Sequence, residues 1–273
     1  MALTDLQSAI MRCLAANRSE TSYVAGGLAL NEDWPRKSDD IDIFHDTDEE
    51  IGEAARIDLE TLREAGFKVR VEIEIYGVVE AVVSKDREST LIQWMSETRR
   101  RFFPIVRDNE WGARLHKVDL AVNKVLAASS RTKARDFVDL VSISKYMSPL
   151  GPLFLAAAGK PPCYSPQKMI DEVRRRGLSI GNDEFQSVKG IPSNWSAETI
   201  RTDLIAELEA AERYVMSAPF DLVGVLAVDA NGVPVELMTI TPLPPGVSVR
   251  RATEEPEVMP VPDAASEWQP PSP

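Results

Sequence analysis

Residues 23–44, YVAGGLALNEDWPRKSDDIDIF, decide the fold of this 273-residue chain. The stretch opens with apolar strand residues, turns at Gly26 and Gly27, continues into residues suited to the first turn of a helix, and ends in an acidic strand that carries Asp40 and Asp42. Paired glycines permit a tight turn whose backbone amides can approach an anion. The order strand, glycine turn, helix and acidic strand therefore predicts one coherent structural unit.

The acidic strand predicts a metal site. Because side chains alternate along a strand, Asp40 and Asp42 project from one face while Ile41 and Ile43 enter the core. Mg²⁺ prefers hard oxygen ligands and usually takes one or two protein carboxylates, with water and substrate phosphates completing its octahedron. An isolated pair of this kind is more often a solvated strand edge, but the preceding glycine turn favours a magnesium site for nucleotide chemistry.

Two runs resemble a known family. The run GGLAL…RKSDDIDIF, residues 26–44, resembles motif I of the DNA polymerase beta type nucleotidyltransferase superfamily, in the version carried by AbiEii-like abortive-infection toxins. A second run, LHKVDLAVNKVLAASSRTKARDFVDL at residues 115–140, resembles the family's downstream segment, a lysine-bearing helix followed by K-x-R-D-x-x-D-L. The motifs stand in the expected order, and the resemblance covers roughly residues 20–145.

The resemblance implies a fold, a reaction and a set of residues. The fold is α+β, a small mixed sheet flanked by helices, and the reaction is Mg²⁺-dependent transfer of a nucleotidyl group from a nucleoside triphosphate (NTP) to an acceptor. Asp40 and Asp42 are expected to hold one or two Mg²⁺. The remaining implied residues are Gly26, Gly27, Arg36, Ser38 and Lys133 for nucleotide binding, and Lys124 and Asp136 for catalysis. Lys124 is expected to meet the triphosphate, and Asp136 either to position a lysine or to activate the acceptor.

The resemblance also implies partners. It identifies the chain as the toxin of a two-gene type IV toxin–antitoxin pair, with a cognate antitoxin encoded nearby. Some relatives act on the acceptor end of transfer RNA, so we expect an RNA acceptor, tRNA in particular. Two alternatives stay open: a nucleotide-binding regulatory module that has lost transfer, and a small-molecule (antibiotic) nucleotidyltransferase.

A third carboxylate, which polymerase-type nucleotidyltransferases usually carry on a later strand, has no single candidate. If it lies in the strand at residues 69–75, Glu72 or Glu74 supplies it, although exposed charge on a half-buried strand is the commoner reading of both. If it lies in the strand at residues 90–94, Gln93 takes its place. Glutamine is a poor Mg²⁺ ligand and cannot act as a base, so that placement implies a site with two carboxylates.

Composition limits the other classes of function. The net charge of −12 argues against broad nonspecific binding of nucleic acid, although arginines and lysines are concentrated at residues 99–101, 131–135 and 174–176. Cys13 and Cys163 lie far apart without histidines at ligand spacing, which predicts neither a disulfide framework nor a zinc site. The chain contains no apolar stretch long enough for a membrane span and no signal peptide pattern, so we expect a cytoplasmic protein.

The pattern of apolar residues and turn formers predicts three segments. Residues 1–147 form the nucleotidyltransferase core, with helices at 5–16 and 51–65 and strands at 69–75, 78–83 and 90–94. Residues 148–241 form a mainly helical appendage, with a helix opening at Ser165-Pro166, another at 197–216, and a terminal β-hairpin at 223–237. Residues 242–273, rich in proline and acids, are expected to form a disordered tail.

Overall fold

A computed structural model describes residues 3–255 and 259 of the chain. The helices are α1 (Asp5–Leu14), α2 (Gly26–Leu30), α3 (Ile51–Glu64), α4 (Lys117–Ser130), α5 (Ala134–Tyr146), α6 (Leu150–Ala157), α7 (Pro166–Ser179), α8 (Asn182–Gln186) and α9 (Ala197–Ser217). The strands are β1 (Ser22–Ala25), β2 (Asp40–His45), β3 (Lys68–Ile75), β4 (Val78–Lys85), β5 (Glu88–Ser96), β6 (Val106–Asp108), β7 (Gly112–Arg114), β8 (Val225–Val228) and β9 (Ser248–Arg251). None of the helices in this described part is long and apolar enough to cross a membrane.

Packing divides the described residues into two compact units. The first contains those of Met1–Arg99 and Ile105–Leu120, and the second contains those of Arg100–Pro104 and Ala121–Pro273. The division falls inside α4, upstream of the predicted boundary at residue 147, because α5 packs against α6, α7, α8 and α9. That residue 147 separates a catalytic core from an appendage stays a prediction.

In the first unit the described strands form one mixed sheet in the order β3-β4-β5-β2-β1-β7-β6. Strand β2 lies in its interior, antiparallel to β1 and parallel to β5. Ile41 and Ile43 are fully buried, as the alternation of β2 predicts. The mixed sheet with flanking helices confirms the predicted α+β class.

Helix α1 starts at the capping box that its sequence encodes. The Thr4 hydroxyl accepts from the Gln7 amide N–H, and the Gln7 side chain accepts from the Thr4 N–H. Each bond satisfies an amide that has no partner inside the helix. Leu6, Ile10 and Leu14 then lie buried along one face, which fixes α1 against the sheet.

Strand β3 is the outer edge of the sheet. A β-bulge interrupts its pairing with β4 between Val71 and Ile73, so that Val71 is opposite Ala81 and Ile73 is opposite Glu80. Its alternate residues carry charge, and Arg70 pairs with Glu72 at 2.8 Å. Bulges and charges on an edge strand discourage pairing with another chain.

The second unit is mainly helical. A small hydrophobic cluster joins α6 and α9 to β8 through Leu155, Tyr214 and Val225. The Tyr214 hydroxyl accepts from the Leu237 N–H at 2.9 Å, which ties the segment after β8 to α9. Helix α7 begins as predicted, because Ser165 caps it and Pro166 occupies its first turn.

The predicted terminal hairpin is only partly correct. The chain does turn back at residues 229–232, where the Asp229 N–H donates to the Val233 carbonyl. However, β8 pairs antiparallel with β9, and Val228 makes only an isolated bridge to Pro234. Residues 248–251, predicted as tail, therefore form a strand, because their backbone completes the pairing of the buried β8. Residues 256–258 and 260–273 of the predicted tail lie outside the described residues.

Candidate functional site

The acidic pair lies on β2 inside the sheet of the first unit. Asp42 is directly opposite Ala25 of β1 and Gln93 of β5, and Asp40 is opposite Leu91. Because side chains alternate, the two carboxylates share one face of the strand. Asp40 is buried, at 7% exposure, whereas Asp42 is half-buried. One carboxylate is therefore fixed within the protein, and the other is within reach of solvent.

The glycine turn makes room for these side chains. Gly26 has a φ of +70°, and a Cβ on it would lie 1.7 Å from Oδ2 of Asp42. A Cβ on Gly27 would lie 2.2 Å from a terminal nitrogen of Arg36 and 3.2 Å from the Ser38 hydroxyl oxygen. A side chain at either position would have to displace the Asp42 carboxylate or the Arg36 guanidinium. The predicted Gly26, Gly27, Arg36, Ser38 and Asp42 therefore lie together.

The loop before β2 is anchored by polar contacts. The Ser38 hydroxyl donates to Oδ1 of Asp40 at 2.8 Å, which orients that carboxylate. The Gln7 side-chain amide donates to the Ser38 carbonyl at 2.9 Å, and the Thr90 hydroxyl donates to the Asp39 carbonyl at 3.0 Å. The buried Arg36 guanidinium donates to the Lys37 carbonyl at 2.9 Å. These contacts hold a cation and a hydroxyl beside the acidic pair.

The donor set at this place fits Mg²⁺. Asp40 and Asp42 provide hard oxygen ligands on one rigid strand, and the absent Cβ of Gly26 leaves space for the Asp42 carboxylate. Within residues 3–255 and 259, however, no three histidine, cysteine, aspartate or glutamate side chains converge as a metal site. The residues present therefore suit an ion that takes two carboxylates and leaves its other positions to substrate and water.

The strand order shows how far each candidate for a third carboxylate lies from Asp42. Strand β3, which carries Glu72 and Glu74, is separated from β2 by β4 and β5, a distance of roughly 14 Å at the usual strand spacing. Gln93 occupies the position opposite Asp42, and Glu80 of β4 is opposite Gln93 in turn. The Gln93 amide donates to Oε1 of Glu80 at 2.5 Å. The residue next to Asp42 on the neighbouring strand is therefore an amide, Gln93, and the carboxylate of Glu80 lies one strand further away.

The predicted downstream residues form an ion-pair cluster in the second unit. Nζ of Lys124 on α4 lies 2.8 Å from Oδ1 of Asp136 and 2.9 Å from Oδ2 of Asp139, both on α5. Asp136 and Asp139 are fully buried, and Lys124 is 7% exposed. Arg131 adds a two-point contact, its Nε donating to Oδ2 of Asp136 at 2.7 Å and a terminal nitrogen donating to Oδ1 at 3.1 Å.

Asp136 is held in its charged form. Burial alone would raise the pKa of this carboxyl, but the adjacent Lys124 and Arg131 together hold the pKa well below its usual range. Asp136 also lies in the first turn of α5, where the helix dipole favours negative charge. A carboxylate with so low a pKa is a weak proton acceptor. The geometry therefore favours the positioning of Lys124 over activation of an acceptor.

The remaining cations differ in environment. Lys133 is exposed as the N-cap residue of α5. The arginines of α7 are paired with carboxylates: Arg174 with Glu212 at 2.5 Å, and both Arg175 and Arg176 with Glu172. Their charge is therefore largely compensated locally, so this run belongs to a solvated helix face rather than to an open basic patch.

Sequence reasoning missed three polar residues around these sites. Gln7 was recognised only as a helix-capping residue, although its side chain also holds the Ser38 carbonyl. Glu80 could have been noticed as the one charge in the apolar strand 78–83. Arg131 was counted with the basic run, and its bond to Asp136, five residues later, follows from the way the chain turns between α4 and α5.

Comparison with known proteins identifies the fold. No family model matches the chain, and no curated protein matches it in sequence. Among solved structures, MenT4, a nucleotidyltransferase toxin from Mycobacterium tuberculosis, is similar with a TM-score of 0.51 and 15% identity, covering 77% of this chain and 85% of that chain. A protein from H. pylori, assigned provisionally as a nucleotidyltransferase, has a TM-score of 0.49 and 17% identity, covering 78% of this chain and 98% of that chain. The likeness to MenT4, at 15% identity, shows a shared fold.

Proposed function

We propose that the protein is a Mg²⁺-dependent nucleotidyltransferase that transfers a nucleotidyl group from an NTP to an RNA acceptor. One observation carries the proposal: Gly26, Gly27, Arg36 and Ser38 surround the Asp42 and Asp40 carboxylates on β2. A glycine turn, a cation, a hydroxyl and two carboxylates are the groups needed to hold a triphosphate together with a divalent cation. The fold shared with MenT4 supports the assignment.

Each residue around the acidic pair has its own role in the proposed nucleotidyl transfer. Asp40 and Asp42 would hold the metal, and Ser38 fixes the orientation of the Asp40 carboxylate. An ion held there would supply positive charge to offset that of the phosphates during displacement. Arg36 and the Gly27 amide bind phosphate oxygens of the departing pyrophosphate. The resemblance assigns Lys124, which pairs with Asp136 and Asp139, and the exposed Lys133 to nucleotide binding, and this assignment stays a prediction.

We also propose an acceptor and a biological role. The AbiEii-like pattern of the two motifs favours RNA, and tRNA in particular, and MenT4 is itself a nucleotidyltransferase toxin. We propose that this chain is likewise the toxin of a pair whose antitoxin is encoded nearby. The proposed setting is the cytoplasm, where NTPs are available and where the free thiols Cys13 and Cys163 would stay reduced.

Transfer to RNA tests the proposal directly. The full chain is incubated with each of the four NTPs labelled at the α-phosphate, with Mg²⁺ and with total RNA, and the label on RNA is read together with pyrophosphate release. We expect label on an RNA of tRNA size and loss of both signals with Asp42→Asn. Asp39→Asn is the matched control, because Asp39 is an exposed neighbour outside the proposed metal ligands.

Three further outcomes separate the parts of the proposal. Pyrophosphate release without label on RNA would overturn the RNA acceptor but keep the transferase. Equal activity in EDTA would overturn the metal. Growth arrest on induced expression that is lost in Asp42→Asn supports the toxin role, and unimpaired growth with active protein would contradict it.

One observation favours a second candidate, a nucleotide-binding module without transfer. Gln93 faces Asp42 where a third carboxylate would be expected, and glutamine cannot accept the proton of an attacking hydroxyl. Calorimetry separates the two functions. Saturable binding of NTP and Mg²⁺ with no pyrophosphate release, in the presence of total RNA, would favour the module.

A further inference from the structure

The first unit contains a cleft of about 390 Å³ on the side of β2 that faces away from the acidic pair. The 3-10 turn at Ala15–Asn17, the start of β1, the end of β2 and helix α3 surround it. His45 contributes from β2, and because side chains alternate it projects to the face opposite Asp40 and Asp42. The cleft is therefore separate from the proposed nucleotide site.

A buried ion pair forms one wall of the cleft. Arg18 and Asp58, both almost fully buried, bond to each other through both carboxylate oxygens. Asp58 also accepts from the Asn17 amide at 2.9 Å and from the Trp94 indole N–H at 2.8 Å. Arg18 additionally donates to the Ser22 hydroxyl at 3.0 Å. Both charges are saturated by protein groups, so this wall supplies shape rather than a free charge.

His45 differs from Arg18 and Asp58, because one of its ring nitrogens makes no hydrogen bond to the described residues. It is 1% exposed, and its Nε2 has no hydrogen-bond partner among the described residues. Burial and the nearby Arg18 lower the pKa of His45 to about 4, so the ring is neutral at physiological pH. In the tautomer that carries its proton on Nδ1, the neutral imidazole offers Nε2 as a hydrogen-bond acceptor. A buried polar atom without a partner is unusual in folded proteins and indicates a missing one.

The opposite wall of the cleft determines which charge a ligand should carry. Helix α3 and its N-cap residue line the cleft along one helical face with the exposed carboxylates Glu50 and Glu53 and the apolar side chains of Ala54 and Ile57. Ile57 is 41% exposed, which is high for isoleucine. The charged residues that line the cleft are Arg18 against Glu50, Glu53 and Asp58. Because the lining carries more carboxylates than cations, with Arg18 held by Asp58 at the inner wall, the Glu50 side of the cleft favours positive charge.

We propose that this cleft binds a small organic cation, an alkylammonium or alkylguanidinium, whose N–H groups meet His45 and the Glu50 carboxylate while its apolar stem lies against Ala54 and Ile57. The Glu53 carboxylate already accepts two bonds from Arg56, at 2.6 and 2.8 Å. Glu50, the N-cap residue of α3, makes no side-chain capping bond. Glu50 is therefore the carboxylate available to the ligand.

The chain contains only two histidines, His45 and His116, which gives the test a clean probe. The full-length protein is labelled with ¹³C-histidine and titrated with agmatine or butylamine at neutral pH, and the ring proton–carbon signals are followed. His116→Gln assigns the signals. We expect the His45 signal to shift saturably with both cations, and the His116 signal to stay in place as the internal reference.

Variants on α3 test the stated contacts. Glu50→Gln should weaken agmatine binding about tenfold, the loss typical of one charge-assisted hydrogen bond. Ala54→Met should abolish the shift by filling the cleft without changing charge. The matched control is Glu60→Gln, since Glu60 lies on the same helix and bonds to Arg56 but does not line the cleft.

Butanol and butyrate complete the design as neutral and anionic probes of similar size. No saturable movement of the His45 signal with either cation would overturn the proposal. An equal shift with butanol or butyrate would overturn the cation preference, and an unchanged affinity in Glu50→Gln would overturn the assigned contact. None of these outcomes depends on transferase activity, so the test is independent of the proposed function.

Discussion

The two pairs of aspartates, one on α5 and one on β2, lie in different electrostatic surroundings. Asp136 and Asp139 of α5 are fully buried, and both contact Lys124. Asp40 and Asp42 of β2 lie beside a glycine turn, and Asp42 is half-buried. The α5 pair has its charge compensated by protein cations inside the fold, whereas the β2 pair has a carboxylate within reach of solvent and of an incoming ion.

This difference distinguishes carboxylates that stabilise the fold from carboxylates that bind an external ion. Removing one member of a compensated buried pair leaves an unpaired charge in a poor solvent for ions, so it costs stability. Removing an acid whose partner is an external ion costs function and leaves the fold nearly unchanged. Stability and activity measurements on matched variants therefore report which use each pair serves.

The largest effect should come from Lys124→Met. This change leaves Asp139 without its Lys124 contact and Asp136 with Arg131 alone among the cations described here, and breaking such a buried pair typically costs about 3–5 kcal/mol. Denaturant unfolding measures the change in the free energy of unfolding. Lys133→Met, an exposed change of the same type, should stay within about 0.5 kcal/mol. Equal stability of the two variants would show that the α5 acids do not need Lys124.

Asp42→Asn should reverse that pattern. We expect its rate of pyrophosphate release to fall by at least about 10²-fold, the scale of losing one well-placed electrostatic group in a transition state. Its free energy of unfolding should change by less than about 1 kcal/mol, because Asp42 is half-buried beside solvent. A variant that unfolds as readily as Lys124→Met would place Asp42 with the structural pairs instead.

His45 predicts an acid-sensitive stability. Its pKa is lowered from 6.5 to about 4 in the folded chain, so the unfolded chain binds the proton first as the pH falls. Stability should therefore be intact above pH 6.5 and be lost progressively towards pH 4, by roughly 2–3 kcal/mol. Urea unfolding across this window measures it. The loss should vanish in His45→Gln and persist in His116→Gln, and an unchanged slope in His45→Gln would refute the assignment.

Two glycines give a matched test of the turn. Gly26 and Gly66 both have positive φ, at +70° and +84°, but a Cβ on Gly66 meets nothing within 4 Å whereas one on Gly26 meets Asp42. Both alanine variants should lose about 1 kcal/mol from backbone strain. Only Gly26→Ala should also lose NTP turnover, by displacing the Asp42 carboxylate. Retained turnover in Gly26→Ala would mean that Asp42 moves without consequence.

The smallest effect is expected on α7. Arg175→Ala breaks an exposed pair with Glu172, and exposed pairs contribute about 0–1 kcal/mol. Thermal unfolding and labelling of RNA should both match the unmodified protein within error. A clear loss of RNA labelling would show that this arginine contacts the acceptor in spite of its paired state.

Local chemistry made much of the first unit predictable. The capping residues Thr4 and Gln7 fixed the start of α1, and the alternation around Ile41 fixed which side chains of β2 enter the core. The glycine turn and the acidic strand follow each other closely in the chain, so their contact depends on short connections. Such contacts are encoded over a few residues, where propensity and periodicity carry information.

Strand order and long-range contacts were not predictable in this way. That β5 lies beside β2, which puts Gln93 rather than Glu72 next to Asp42, depends on pairings between distant segments. The pairing of β8 with β9, about twenty residues apart, was likewise hidden by a turn signal at residues 229–232 that favoured a local hairpin. The bonds from Lys124 to Asp136 and Asp139 depend on how two helices pack, which spacing within one helix does not specify.

The bulged, charged edge at β3 bears on handling the protein. Ile73 and Ile75 are 40% and 64% exposed, a combination that would ordinarily invite self-association into fibrils. The interrupted ladder at Glu72 removes the flat template that such growth requires. The charges of Arg70 and Glu72 oppose the same association. Replacing both with uncharged residues should therefore make concentrated solutions turbid, without altering any ligand interaction.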